Sequence, residues 1–360
     1  MKRATIDDVA RRAGVSKATV SAVINHKDIV KADTRAAVLK AIKDLHYQPR
    51  PSARTLKRTT EDRDRGSIGL LIRELDNPFY TAIAQGVMEY AAERGYMLLV
   101  TGSEGSHRRE ELISHAFTHK EIKGAVIAPV LEGTSEIEHL FRLKMINFPF
   151  VLLEHVKGIQ ANVVSIDNIR AMREAMRYLI GHGHTNIAHF AGPLHASHTF
   201  ERIEGFKQVY LESPFVLRND MIVHAGAHLE DGYRTCMEYF RGRSPDTYPT
   251  AIVCYNDLVA LGVMSALHEL HISVPERVSV VGNDDIPFAR HFPVRLTTIR
   301  PPMPELGRKA AEILIKNIES PTALPVENVI MNAELVVRES TKAVKIPLTK
   351  PDTEVLRAPG

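Results

Sequence analysis

Residues 5–25, TIDDVARRAGVSKATVSAVIN, constrain this chain more than any other stretch. They predict two short helices joined by a tight turn. Thr5 and Asp8 have the spacing of a capping box ahead of Val9, Ala10 and Ala13, so a first helix starts near Ile6. Gly14 supplies the permissive backbone for the turn, and Ser16 is a natural N-cap for a second helix carrying Val20, Val23 and Ile24. With Val9, Ala10, Ala13, Val15, Val20 and Ile24 turned inward, Lys17, Ala18, Thr19, Ser21, Ala22 and Asn25 are left facing outward on an uncluttered helix. That is the pattern of a helix-turn-helix, in which the second helix enters the major groove of DNA. Lys17 can donate to guanine, Ala18 or Ala22 can meet a thymine methyl, and Thr19, Ser21 and Asn25 suit phosphates.

Charge agrees. Residues 1–60 hold 14 Lys and Arg against 5 Asp and no Glu, a net of +9. The whole chain is +3, which leaves −6 for residues 61–360. A basic head on an acidic body concentrates attraction for phosphates at one end.

Beyond the turn, a third helix from about Asp33 to His46 places Val38, Leu39, Ile42 and Leu45 on one face. YQPRP breaks it, and Ser52 then caps a very short helix, SARTLKR, in which Arg54, Lys57 and Arg58 surround Leu56. TTEDRDRG at 59–66 is wholly polar and has the character of a linker. From Ser67 the pattern changes. Short apolar runs at 67–72, 97–100, 124–130, 150–154, 162–166, 186–192, 251–255 and 278–283 alternate with helical stretches near 79–94, 108–120, 169–181, 199–211, 231–241 and 258–271. Such βαβ alternation implies parallel sheets covered by helices, and this length suits two lobes better than one sheet. The last 18 residues contain three prolines and no leucine heptad, so they form no coiled coil.

Ligands of open α/β sheets sit at the carboxyl ends of strands. The residues there include Asp76, Asn77, Phe79 and Tyr80; Asp167 and Asn168; His195, His198 and Arg202; Asn256 and Asp257; and Asn283, Asp284 and Asp285. Aromatic faces together with Asp, Asn and Arg suit a small polar ligand such as a sugar or nucleobase. The Asp-Asn pairs equally suit helix caps.

Two stretches carry a close resemblance. A-T-I-x-D-V-A-x-x-A-G-V-S-x-x-T-V-S-x-V-I-N at 4–25 and KADTRAAVLKAIKDLHYQPRPSARTLK at 31–57 resemble the lac repressor (LacI/GalR) family of bacterial transcription regulators. D-N-P-F-Y, I-D-N, A-G-P followed by R-x2-G-F, N-D-x2-A-x-G and V-G-x-D-D resemble the motifs around that family's ligand cleft. The resemblance spans residues 4–340 and implies effector contacts from Phe79, Tyr80, Asp167, His198, Arg202, Asn256 and Asp284. It implies DNA contacts from Thr5, Ser16, Lys17, Ala18, Thr19, Ser21, Ala22 and Asn25. Leu56 would be a minor-groove wedge flanked by Arg54 and Lys57. Ala196 and His198 stand where purine-binding members carry further Arg and Thr, which disfavours a purine. Asn283 replaces the usual aromatic residue before Asp284 and makes that wall more polar.

The expected architecture is an all-α helix-turn-helix head on an α/β periplasmic-binding-protein-like core of two doubly wound parallel-sheet lobes. The head covers 1–48, a hinge helix and linker 49–66, the core 67–340 and a tail 341–360. Lobe 1 takes about 67–165 plus 299–327, and lobe 2 about 166–298 plus 328–340. The expected function is sequence-specific repression of transcription by a homodimer on a palindromic duplex, controlled allosterically by a sugar or sugar derivative. A second class remains open, a sugar-binding or enzymatic α/β protein carrying a helical arm, and salt-dependent binding to a palindrome separates the two. No cofactor or metal is expected: His182/His184 and His195/His198 lack partners at a zinc spacing, and neither a G-x-S-x-G elbow nor a phosphate loop occurs. Only Cys236 and Cys254 occur, and there is neither a leader-like apolar segment nor an 18-residue apolar run. The chain is therefore expected in the cytoplasm, associated with the nucleoid and not with a membrane.

Overall fold

The computed structural model of the chain describes residues 5–24, 30–45, 65–119, 121–130, 137–194 and 196–344, the side chains of Ile24 and Ala32 excepted. Two compact units emerge, Met1–Arg63 and Asp64–Gly360. Asn25, Arg54, Leu56 and Lys57, with the expected short helix around Leu56, lie outside the described residues, as does His195.

The first unit holds α1 (Ile6–Ala13), α2 (Lys17–Ile24) and α3 (Ala32–Asp44). Thr5 caps α1 in a complete capping box: its Oγ1 accepts from Asp8 N at 3.4 Å, while Asp8 Oδ2 accepts from Thr5 N at 2.9 Å. Gly14 ends α1 at φ 65°, a left-handed conformation that costs a glycine little, and Val15 N returns to Ala10 O at 3.0 Å. Ser16 Oγ accepts from Thr19 N at 3.1 Å and so caps α2. Val9, Ala10, Val20, Val23, Val38 and Ala41 form the small core. Leu39, expected inside, is 54% exposed. It sits about 100° round the helix from Val38, outside the stripe of Val38, Ala41, Ile42 and Leu45 that faces α1 and α2.

The second unit is built from two lobes. The first has β1 (Ser67–Ile72), α4 (Pro78–Glu93), β2 (Met97–Gly102), α5 (His107–His119), β3 (Ile122–Ile127), α6 (Glu138–Met145), β4 (Phe150–Leu152) and β5 (Asn162–Ile166). The second has α7 (Asn168–Gly181), β6 (Ile187–Ala191), α8 (Ser197–Leu211), β7 (Ile222–His224), α9 (Leu229–Phe240), β8 (Ala251–Cys254), α10 (Asp257–Glu269), β9 (Ser279–Asn283) and β10 (Thr297–Arg300). The chain then returns through α11 (Met303–Glu319) and β11 (Asn328–Met331) to the first lobe, and ends with β12 (Glu334–Val336) in the second.

Lobe 1 is a parallel sheet ordered β11-β5-β4-β3-β1-β2. Lobe 2 is ordered β12-β10-β9-β8-β6-β7, parallel except for β12 against β10. Both therefore reverse direction of winding beside their first strand, between β1 and β3 and between β6 and β8, where loops diverge and leave a crevice. Two expected lobe boundaries are corrected. Residues 299 and 300 lie in β10, which pairs with β9, so they belong to lobe 2. Asn328–Met331 pairs with β5, so it belongs to lobe 1, and the last crossing follows Met331. The apolar faces of α4 and α11 cover one side of sheet 1, and α9 and α10 one side of sheet 2. No helix of the described residues is long and apolar enough to cross a membrane.

Candidate functional site

In the first unit, Val20 and Val23 anchor α2 inward, which leaves Lys17 and Ala18 exposed and Thr19, Ser21 and Ala22 half-exposed. Thr5 and Ser16 face solvent with their hydroxyls engaged in the two caps, and Ser16 Oγ also lies 2.9 Å from Thr19 Oγ1. Lys17 Nζ rests 2.6 Å from Asp7 Oδ1, a solvent-facing pair. Such pairs contribute little, so phosphate or a guanine edge can take the ammonium from Asp7.

The second site lies between the lobes, a pocket of about 430 Å³ open to solvent. Lobe 1 contributes Arg73, Glu74, Phe79 and Tyr80; lobe 2 contributes His198, Arg202, Tyr255, Asn256 and Asp284. Each stands just beyond the carboxyl end of a strand, and those after β1, β6 and β8 are at the two crevices. The cap of α4 explains the first group: Asn77 Oδ1 accepts from Phe79 N at 3.0 Å with Pro78 at the first helical position, and this turn aims Phe79 and Tyr80 at the pocket. Their rings meet edge to face at 4.9 Å.

Arg73 is buried and tied down. It donates to Pro129 O from Nε at 3.0 Å and Nη2 at 2.6 Å, to the Tyr80 hydroxyl at 3.3 Å, and to Glu154. Glu154 reaches across the cleft: the Ser197 hydroxyl of lobe 2 donates to it, and His198 Nδ1 lies 3.7 Å away. A second bridge pairs Glu74 Oε1 with His228 Nε2 at 3.9 Å.

Arg202 is the cation of the other wall. Asn168 Oδ1 accepts from its Nε at 3.1 Å, the Tyr255 carbonyl accepts from Nη1, and its guanidinium lies 4.9 Å from the centre of the Tyr255 ring. Asp284 sits in a strained corner at φ 117°, followed by Asp285 at φ 51°. Its N–H is fixed on Ile299 O at 2.8 Å, and Asn283 Nδ2 donates to Oδ1 at 2.6 Å. Burial pushes the Asp284 carboxyl up to about 8, against the pull of Arg202 and with the help of Asp257. Asp257 is itself raised to about 7, chiefly by burial, although the Thr298 hydroxyl and Ile286 N donate to it.

Of the residues expected at the cleft, Phe79, Tyr80, His198, Arg202, Asn256 and Asp284 line it, and Asp167 does not. Asp167 Oδ1 instead accepts from Arg170 N at 2.9 Å and caps α7, while its neighbour Asn168 positions Arg202. Asn256 also caps a helix, accepting from Val259 N at 2.8 Å and donating to Ala227 O at 2.8 Å, so its amide is engaged at both ends. Asn283 is not part of the wall but holds Asp284. Arg73, Glu74 and Tyr255 were not anticipated. Each directly follows its strand (Arg73 and Glu74 after β1, Tyr255 after β8), and that position was the available signal. His184, in the loop after α7, is buried, with Nδ1 3.0 Å from Thr250 Oγ1 and Nε2 3.0 Å from Lys342 O. Among the described residues no group of three or more His, Cys, Asp or Glu is placed to hold a metal ion.

A basic helix-turn-helix and a two-lobed cleft for a polar ligand in one chain define a ligand-responsive DNA-binding regulator. Residues 5–50 match the family described as "Bacterial regulatory proteins, lacI family", and residues 176–341 match the "Periplasmic binding protein-like domain". The HTH-type transcriptional repressor PurR of Vibrio vulnificus is 33% identical over 95% of this chain and 99% of its own. The ribose operon repressor of Halalkalibacterium halodurans is 33% identical over 94% of this chain and 97% of its own. Among solved structures, a complex of the transcriptional regulator CelR with cellobiose matches with a TM-score of 0.68 and 30% identity, covering 94% of this chain and all of that one. The lac repressor dimer bound to operator and the anti-inducer ONPF matches with a TM-score of 0.70 and 25% identity, covering 95% of this chain and all of that one. The chain belongs to the lacI family of bacterial regulatory proteins.

Proposed function

We propose that this protein is a transcriptional repressor that binds a palindromic operator as a two-fold dimer and is controlled by a sugar or sugar derivative in the interlobe cleft. The carrying observation is that a guanidinium, Arg202, and a carboxyl, Asp284, line one pocket with Phe79, Tyr80 and Tyr255. A guanidinium and a carboxyl supply donors and acceptors for vicinal hydroxyls, and the half-buried Phe79 ring takes the C–H side of a sugar ring. The cellobiose bound by CelR and the ribose operon controlled by the Halalkalibacterium relative support this ligand class.

On the DNA side, Lys17, Ala18 and Ala22 meet base edges, Thr5, Ser16, Thr19, Ser21 and Asn25 position the helix on the backbone, and Arg54, Leu56 and Lys57 enter the minor groove. The protein works in the cytoplasm, on the nucleoid, and not as an enzyme. Selection of duplexes from a random pool, followed by anisotropy titrations across salt and a sugar panel, tests this reading. It expects a palindromic site, a steep loss of affinity with salt, and one sugar that shifts operator affinity. Sequence-independent binding, or a palindrome whose affinity no sugar changes, contradicts it.

A further inference from the structure

The cleft wall built on Tyr255 is held more firmly than a ligand contact requires. Its ring is 5% exposed. On one side it lies against the backbone of Gly192, where an added Cβ would come within 2.3 Å of the ring, so only glycine admits it. Elsewhere the His198 ring stacks on it at 5.3 Å, 13° from parallel, and the phenol is hydrogen-bonded to His198 Nε2. The Arg202 guanidinium lies 4.9 Å from its centre and is also held by the Tyr255 carbonyl. Swinging the ring aside therefore breaks several contacts at once. Opposite stand Phe79 and Tyr80, themselves fixed by the helix cap and Arg73. At the rim, the Ser197 hydroxyl of lobe 2 donates to Glu154 of lobe 1.

We propose that Tyr255 is the specificity-determining residue for effector size, limiting the cleft to a single sugar ring and excluding disaccharides. This rests on the sugar-controlled reading above. On the side of lobe 2, a second ring fits only by displacing the pinned Tyr255–His198 stack, and a wall held this closely yields poorly to added volume. Replacing the phenol ring by a methyl opens room of the order of a benzene molecule at the pocket wall.

The test is calorimetric titration of the full-length protein with a panel of monosaccharides and the disaccharides containing them, for the native chain, Tyr255→Ala and Tyr255→Phe. The native protein is expected to bind one monosaccharide and its disaccharides at least about tenfold more weakly. Tyr255→Ala should narrow that ratio by about tenfold or more, while Tyr255→Phe, which keeps the ring, should preserve it even if both affinities change. Operator binding reports that each variant is folded, and Tyr255→Leu carries the comparison if the alanine variant fails. A native protein that binds a disaccharide as tightly as its monosaccharide overturns the size limit and leaves the sugar reading standing. So does a ratio unchanged in both the alanine and leucine variants. If no sugar of either size binds the native protein, the sugar reading and the size limit fall together.

Discussion

Asp285 Oδ1 accepts from Arg338 Nη2 at 2.5 Å, which anchors the corner carrying Asp284 to the segment that follows β12. Its other oxygen takes Arg290 at 2.8 Å and Arg300 at 2.6 Å. Burial alone would raise this carboxyl, but hydrogen bonds from Arg290, Arg338 and Arg300 hold it below the usual range. Asp285→Ala, which leaves the mostly buried Arg338 without its carboxylate while Arg290 and Arg300 still reach solvent, should cost about 1–3 kcal/mol by denaturant melts. A folded value below the unfolded one stabilises above the ordinary carboxylate range, and that part is lost as pH falls through the folded value. The variant should therefore lose its deficit on acidification. A deficit unchanged from pH 7 to pH 3 contradicts the ion-pair origin.

Asp284 has the opposite sign. Its carboxyl is raised to about 8, so the folded state holds a proton that the unfolded state releases near 4. Stability then falls as pH rises between those values, with Asp257 at about 7 contributing alike. Asp284→Asn should flatten this decline, and melts from pH 5 to 9 check it. Since hydroxyls bind an ionised carboxylate better, effector affinity should rise through pH 8 in the native protein and not in the variant.

Lys17→Ala should cost roughly 1–3 kcal/mol on the selected operator and relax the base preference at its position. Anisotropy on operator and on scrambled duplex decides the role. An equal loss on both makes Lys17 a phosphate contact.

The sequence made the head and the alternation of the core legible because both rest on local periodicity. The Thr5–Asp8 box, Gly14 and the Ser16 cap need only neighbours within four residues. The elements it did not anticipate, α6, α11, β7, β10, β11 and β12, are chiefly edge strands or returning segments whose pairing depends on residues far away, as Asn328 beside Val163 shows. Asp167 and Asn168 looked alike in the chain, and only Arg202, 34 residues on, separates a cap from a positioning residue. Glu154 left no local trace, because its partners Arg73 and Ser197 come from different lobes.

The central claim, that the cleft and the helix-turn-helix share one free energy, is tested most directly by reciprocity. Effector affinity should be measured with and without saturating operator, and operator affinity with and without saturating effector, in the native protein and in Arg202→Ala. Linkage requires the two ratios to be equal, and typical coupling places them at roughly 5–150-fold. The native protein should show equal ratios well above one, and the variant should keep operator affinity and lose the response. An effector that binds with the same affinity to free and operator-bound protein contradicts the claim outright.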